Sequence, residues 1–276
     1  MSSFFFERRA MRERAEQLEP GYRAAEPFPH AVIDEFLPSD VVRQVAGEFP
    51  SPEAIAWRRA DRYVETKLST EDEEAFPLFT RQVMYAFNSS IFTEFLETLT
   101  GIRGLIPDPH FRGGGLHQIR RSGKLGVHAD FNYYERLGLH RRINALLYLN
   151  DEWQEEYGGH LEFWDREMKH RVKRVAPILN RCVIFNTTDD SFHGHPEPLQ
   201  CPESVTRKSL AFYYYSAERP QAEQSAPHTT LFRKRPGETA PAADFRRQRV
   251  ETWARRILPK GLISAIQSAR ALTRRH

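Results

Sequence analysis

Short runs of apolar residues, separated by turn-forming residues, dominate the second half of the chain. Four of these runs have the length and the β-branched or aromatic content of buried strands. They are Arg141–Asn150, His160–Asp165, Arg181–Asn186 and Ser209–Ser216. Gly158-Gly159 and the segment Thr187–Asp190 supply turn and loop residues between them. Several short strands joined in this way predict an antiparallel sandwich or jelly roll rather than a parallel sheet.

The N-terminal part of the chain has a helical pattern instead. Residues 4–18 are rich in Glu, Arg and Ala, and Pro20-Gly21 is expected to end this helix. His30–Pro38 is strand-like and then turns, and further helical segments follow up to about residue 101. The pattern therefore predicts helices first and a β-rich region after them.

His128, Asp130 and His193 carry the clearest candidate chemistry. Residues i and i+2 of a β-strand point to the same side, so His128 and Asp130 can reach one metal ion while Ala129 points away. Two imidazoles and one carboxylate on one face of a metal are the ligand set of non-haem Fe(II) oxygenases. The second histidine must come from a distant strand, and His195 is the rival to His193, because both would share one face of that strand.

Six short motifs follow one another between about Leu116 and Ser216. They are HAD (128–130), RINALLYLN (142–150), GGHLEFWD (158–165), VIFNT (183–187), FHGHPEP (192–198) and RKSLAFYYY (207–215). In content, order and spacing this segment resembles the catalytic domain of 2-oxoglutarate/Fe(II)-dependent dioxygenases, in the branch related to prolyl 4-hydroxylases. The resemblance implies a mainly β core, a double-stranded β-helix (jelly roll), with iron held by His128, Asp130 and His193.

The resemblance also implies residues that bind the cosubstrate. The family has a basic residue at the start of the last core strand, where it contacts the distal carboxylate of 2-oxoglutarate. Arg207 is the match, and its planar guanidinium suits a bidentate contact, while the adjacent Lys208 remains the alternative. Ser209 shares the strand face of Arg207, and Tyr148 matches a tyrosine that contacts the same carboxylate in some relatives.

The implied reaction uses Fe(II), 2-oxoglutarate and O2, with ascorbate as an optional reductant and no catalytic residue beyond the metal centre. It would hydroxylate a prolyl residue, an amino acid or another small molecule and release succinate and CO2. The alternative is a binding or structural protein that keeps the β-core without catalysis, since fold alone does not fix function. The intact ligand set favours the enzyme. Candidate cavity residues are Asn132, Tyr134, Arg120 and Trp164, whereas Arg141-Arg142 is interpreted as a charged strand start.

These observations divide the chain into three expected parts, an α+β arrangement overall. Residues 1–104 form a helical region that braces the core, 105–232 form the double-stranded β-helix, and 233–276 form a basic, helical C-terminal extension. This extension has twelve Lys and Arg against three acidic residues, although the net charge of the whole chain is only +3. Such a tail can contact an acidic partner or an anionic membrane surface, but a solvated helix packed on the domain is the favoured interpretation. No motif indicates nucleic-acid binding.

Composition adds an expectation about location. The chain has two cysteines and no convincing signal peptide, which favours a reducing cytoplasm. No segment approaches the run of about 18 apolar residues that a membrane-spanning helix requires.

Overall fold

The computed structural model describes residues 5–239, and the helices and strands lie in the order expected from the sequence. Its helices are α1 (Arg8–Ala24), α2 (Ser39–Glu48), α3 (Leu78–Phe87) and α4 (Ser90–Thr100). Its strands are β1 (His30–Ile33), β2 (Arg58–Arg62), β3 (Glu65–Thr70), β4 (Ile106–Pro107), β5 (Gly115–Ile119), β6 (Lys124–Ala129), β7 (Tyr133–Tyr134), β8 (Leu139–Tyr148), β9 (Leu161–Trp164), β10 (Arg171–Val175), β11 (Cys182–Asn186), β12 (His193–His195), β13 (Arg207–Ser216) and β14 (Leu231–Phe232). Residues 240–276, which make up most of the predicted basic extension, lie outside the described residues.

The strands form one antiparallel sheet that curls around a central cavity. Its main path runs β1-β11-β8-β13-β5-β3-β6-β12-β9-β10. Strand β3 pairs with β5 along one part of its length and with β6 along another, so it joins the two halves of the sheet. Side chains from both halves line the cavity. The predicted double-stranded β-helix is therefore confirmed.

The two faces of β8 and β13 are buried in different ways. Leu210, Phe212 and Tyr214 of β13 belong to the core shared with the helices. Arg207 and Ser209, at alternate positions of the same strand, line the cavity. Because side chains alternate across a strand, a strand buried on both faces has a continuous apolar pattern instead of an alternating one. This accounts for the unbroken apolar run that marks β8 in the sequence.

Helices α1, α3 and α4 cover the outer face of the sheet. The ring of Phe87 in α3 stacks on Phe212 of β13 with centroids 4.1 Å apart. The predicted end of α1 at Pro20 is wrong, since the helix continues to Ala24. Its last turn is held by tertiary contacts, because the buried Tyr22 donates a hydrogen bond from its hydroxyl to Asn186 Oδ1 at 2.6 Å.

The first 104 residues also contribute strands to the sheet. Strand β1 pairs with β11 at one end of the path, and β3 lies between β5 and β6. The expectation of a helical region over this segment therefore describes only part of it. Among residues 5–239, no helix combines the length and the apolar composition needed to cross a lipid bilayer.

Candidate active site

Strands β6 and β12 lie side by side and bring the three candidate ligands together. His128 is directly opposite His193 in the antiparallel pairing, and Asp130 follows the last residue of β6. One ligand atom from each of His128, Asp130 and His193 lies within 4.8 Å of the others. All three side chains are buried. His195 is not part of this cluster, because it is displaced along β12 and faces Leu125 across a register shift.

Backbone carbonyls set the orientation of both imidazoles. Nδ1 of His128 is 2.8 Å from Gly126 O, and Nδ1 of His193 is 2.9 Å from Ser191 O. With Nδ1 as the donor in these bonds, Nε2 is left to face Asp130, whose oxygens lie 3.6 Å from His128 Nε2 and 3.4 Å from His193 Nε2. Metal-bound histidines usually have such an acceptor on the second ring nitrogen. The donor set thus fits a divalent metal such as Fe(II).

Electrostatics keep His193 and Asp130 in the protonation states that a metal needs. Burial lowers the pKa of His193 to about 4, and the neighbouring His128 acts in the same direction. Burial alone would raise the pKa of Asp130, but Arg141 and the two imidazoles outweigh it and hold that pKa well below its usual value. The structure therefore favours a neutral His193 imidazole and an ionised Asp130 carboxylate.

Arg141 and Asn144 form a network that fixes the Asp130 carboxylate. Asn144 Nδ2 donates to Asp130 Oδ2 at 2.7 Å, and Arg141 Nη2 lies 3.1 Å from the same oxygen. Arg141 also donates from Nε and Nη2 to Asn144 Oδ1, and its guanidinium lies 3.5 Å from the ring centroid of Tyr213. The interpretation of Arg141-Arg142 as a charged strand start is wrong, because both side chains are buried.

A register shift explains why strand alternation does not predict that the Arg141 side chain faces the cavity. Counting by twos from Asn144, which lines the cavity, places Arg142 inward and Arg141 outward. The pairing of β8 with β13 shifts between Tyr214 and Tyr215, so that Tyr214 faces Ile143 and Tyr215 faces Arg141. Such an irregularity re-aims a side chain. Arg141 lines the cavity, whereas Arg142 bonds to Ser216 and Glu223.

Arg207 lies in the same cavity as the three candidate ligands and is held by two bonds. Its Nε donates to Gly159 O at 2.7 Å and one Nη nitrogen donates to the Tyr148 hydroxyl at 3.2 Å. Gly159 has φ +69°, and a Cβ at this position would lie 2.5 Å from Leu199 Cδ2 and 3.0 Å from Arg207 Cδ. Glycine is therefore required for the close approach. Ser209 lies directly opposite Tyr148 and also lines the cavity.

Lys208, the alternative to Arg207, points to the other side of the strand. Its Nζ lies 5.9 Å from the ring centroid of Phe49, outside the cavity. Arg207 and Tyr148 together offer a buried cation and a hydroxyl, which suits a carboxylate.

The other candidate cavity residues have different roles. Tyr134 lines the cavity, but Asn132, Arg120 and Trp164 do not. Arg120 pairs with Glu53, and Trp164 donates from Nε1 to Glu162 at 3.0 Å. Arg120 is thus held by a residue that is distant in the sequence, and Trp164 by a residue of its own strand.

The segment after β13 forms one wall of the site. Strand β14 pairs with β6, where Phe232 is opposite His128 and Leu231 is opposite Ala129. The ring centroids of Phe232 and His128 are 5.3 Å apart. Asn132 anchors the approach to β14, since its Nδ2 donates to Ser225 Oγ at 2.8 Å and its Oδ1 accepts from the backbone N–H of His228 at 2.9 Å. Apart from the short apolar pair Leu231-Phe232, the sequence does not indicate that this segment pairs with β6.

The cavity is large and its mouth is charged. It has a volume of about 950 Å³, near the upper end of the usual range for ligand sites, which runs from roughly 300 to 1,000 Å³. Acidic residues of the segment 71–74 and several arginines lie at its rim; the arginines are Arg58, Arg62, Arg112 and Arg136. The cavity therefore has room for a substrate beside a small cosubstrate.

Comparisons with known proteins agree with this geometry. Residues 114–215 match the family model described as the 2OG-Fe(II) oxygenase superfamily. This segment is a 2OG-Fe(II) oxygenase domain. The prolyl 3-hydroxylase OGFOD1 of Mus musculus is 35% identical over 79 residues, a match that covers 27% of this chain and only 14% of the mouse protein.

A solved structure supports the fold of this oxygenase domain and its surroundings. It is a prolyl hydroxylase from Trichoplax adhaerens in complex with a peptide fragment of the oxygen degradation domain of hypoxia inducible factor. The alignment has a TM-score of 0.56 and 15% identity, and it covers 78% of this chain and 96% of that chain. At this identity the likeness concerns the fold.

Proposed function

We propose that this chain is an Fe(II)- and 2-oxoglutarate-dependent hydroxylase that acts on a prolyl residue within a peptide. The observation that carries the proposal is one cavity that is lined both by the buried His-Asp-His cluster and by the Arg207–Tyr148 pair. Together, bound iron and 2-oxoglutarate supply O2 activation and the oxidant for an unactivated C–H bond, with release of succinate and CO2.

The chain's own residues would do three things in this reaction. His128, Asp130 and His193 would occupy one face of the ion and leave the face toward the cavity open. Arg207 and Tyr148 would bind the distal carboxylate of 2-oxoglutarate and so set its position along the cavity. Leu146 and Leu161, which also line the cavity, would help to exclude water from the site.

Two observations support a peptidyl substrate. The two relatives named above are prolyl hydroxylases by name, and one of them was solved with a peptide. The cavity is also open and large enough to admit a side chain that remains attached to a peptide backbone. A free amino acid or another small molecule is the competing substrate class.

The experiment is a succinate-release assay with the Fe(II)-loaded full-length chain. Prolyl peptides, free proline, other amino acids and sugar-linked metabolites are offered in parallel, and the products are examined for a mass gain of one oxygen. His193→Ala should abolish turnover, because it removes one of the three ligands. A wild-type protein that binds Fe(II) and 2-oxoglutarate but never releases succinate would instead identify a non-catalytic binding protein on the same core.

Two further parts of the proposal concern the surroundings of the enzyme. We infer a cytoplasmic location from the cysteines, since Cys182 and Cys201 are both free and buried. The basic segment that begins at Arg233 lies mostly outside the described residues, and its contact with an acidic partner or an anionic membrane surface stays a prediction, with packing on the domain as the alternative.

A further inference from the structure

His195 is a buried histidine whose polar atoms have no protein partner. Its side chain is almost completely buried, and it lines the cavity. Neither ring nitrogen forms a hydrogen bond with any of residues 5–239. Within that part of the chain, the other buried polar atoms without a partner belong to Arg81, Gln118, Thr187 and Arg219, and none of these residues lines the cavity. His195 is therefore the unpartnered polar side chain that faces the site.

The other histidines of the cavity wall do not share this property. His128 and His193 bond through Nδ1 to backbone carbonyls, and His117 Nε2 is 3.1 Å from Gly113 O. A buried polar group left without a hydrogen bond destabilises the folded protein. A ligand in the cavity could supply the missing bond to His195.

Strand β12 packs closely against β6 next to His195. Gly194 lies between the two histidines and packs against β6. A Cβ at Gly194 would lie 2.7 Å from Gly126 O and 2.8 Å from Leu125 O. Only glycine therefore fits at this close approach of β12 to β6, and His195, the next residue, lines the cavity.

His195 shares its cavity with the groups proposed to bind the metal and the cosubstrate. Arg207, His128, Asp130 and His193 all line the same cavity. His195 lies two residues beyond His193 on β12, across a register shift in the pairing with β6. Its imidazole therefore faces the cavity in which Arg207 is proposed to bind the distal carboxylate of 2-oxoglutarate.

We propose that His195 donates a hydrogen bond from its imidazole to a carboxylate of bound 2-oxoglutarate and so helps to position the cosubstrate. This inference rests on the proposed function. The cosubstrate has a carboxylate at each end, and an imidazole offers an N–H donor in either protonation state. His195 would thus be a cosubstrate-positioning residue beyond those that the sequence predicts.

The test measures 2-oxoglutarate binding rather than turnover. The full-length chain is loaded with Mn(II) under anaerobic conditions and titrated calorimetrically with 2-oxoglutarate. Hydrogen bonds to charged groups contribute about 1.5–3 kcal/mol, so His195→Leu should weaken 2-oxoglutarate binding roughly tenfold or more. Mn(II) affinity measured without 2-oxoglutarate should stay within about twofold of wild type. His195→Gln, which keeps a donor, should recover part of the affinity.

Two controls distinguish this role from a structural one. His140→Leu alters a partly buried histidine of β8 that does not line the cavity, and it should leave 2-oxoglutarate binding unchanged. Without 2-oxoglutarate, His195→Leu should unfold at the same or a higher temperature than wild type, because the variant removes an unpartnered polar group. A lowered unfolding temperature would reveal a partner inside the protein and overturn the proposal.

Other outcomes also separate the two proposals. If His195→Leu binds 2-oxoglutarate as tightly as wild type, the role of His195 is refuted while the proposed function stands. Loss of Mn(II) binding in this variant would make His195 a metal ligand and likewise refute the inference. If the wild-type protein itself binds no 2-oxoglutarate, the proposed function fails first.

Discussion

The guanidinium of Arg141 lies 3.1 Å from the Asp130 carboxylate, although the two residues belong to separate segments of the chain. Arg141 is almost completely buried and packs against the rings of Tyr213 and Phe131. The pair gives Asp130 a fixed position and a positive neighbour before any metal binds. The hydrogen bond that Asn144 donates to Asp130 restrains the same carboxylate oxygen.

Removing Arg141 should destabilise the metal-free protein strongly. Removing one partner of a buried ion pair typically lowers the free energy of unfolding by about 3–5 kcal/mol, because the remaining charge stays buried without compensation. We expect a loss of this size for Arg141→Met in urea unfolding. Added Mn(II) should reduce the deficit, because the ion gives Asp130 a new positive partner.

The control for this prediction is Arg120→Met. Arg120 pairs with Glu53, and both side chains are about half exposed or more. An exposed pair contributes at most about 1 kcal/mol. Equal losses for Arg120→Met and Arg141→Met would contradict the role assigned to Arg141.

Arg207 and Lys208 form a second matched pair for mutation. Arg207→Ala should weaken 2-oxoglutarate binding roughly tenfold or more, because a charge-assisted contact contributes about 1.5–3 kcal/mol. Lys208→Ala should have little effect, since Lys208 lies on the opposite face of β13 near Phe49. Calorimetric titration of the Mn(II)-loaded proteins measures both. Greater sensitivity of the Lys208 variant would reverse the assignment.

Glu65 should make folding stability depend on acid pH. It pairs with Lys67 at 3.1 Å and with Arg62, and its side chain is mostly buried. Burial raises its pKa, but Lys67 and Arg62 outweigh burial and lower the pKa from 4.5 to about 2. A depressed carboxyl pKa stabilises the folded state above the unfolded value of 4.5, and this contribution is lost as pH falls toward about 2.

The measurement compares Glu65→Gln with wild type at two pH values. One pKa unit corresponds to about 1.4 kcal/mol. Between pH 7 and about pH 3.5, wild type should therefore lose roughly 1.4 kcal/mol more of its unfolding free energy than Glu65→Gln does. Parallel losses in the two proteins would show that Glu65 is not a source of the acid sensitivity.

Two truncations test the segment after β13. A chain that ends at Thr239 should keep its fold, its metal binding and its decarboxylation of 2-oxoglutarate, since the ligands and β14 all precede this point. A chain that ends at Gln224 should lose at least about 2 kcal/mol of stability, because Phe232 leaves its buried position beside His128. If the chain that ends at Thr239 folds and binds metal but cannot decarboxylate 2-oxoglutarate, residues 240–276 belong to the active site.

The sequence by itself determined the β-core and most of the candidate site. Buried strands are marked by local composition, so the runs around Leu146 and Phe212 predicted β8 and β13. The i, i+2 spacing of His128 and Asp130 is also local information, because strand geometry alone puts both on one face. The family pattern and the shape of the guanidinium favoured Arg207, while the sequence left Lys208 open as the alternative.

Only the tertiary structure decided the features that depend on contacts between distant segments. A register shift between β8 and β13 turned Arg141 toward Asp130, and a pairing with β6 placed Phe232 beside His128. Packing of Tyr22 against β11 extended α1 past Pro20. That neither ring nitrogen of His195 has a hydrogen-bond partner is visible only in the folded protein, where all its neighbours are known. Local propensities are small beside tertiary packing, so these positions are settled by the assembled sheet.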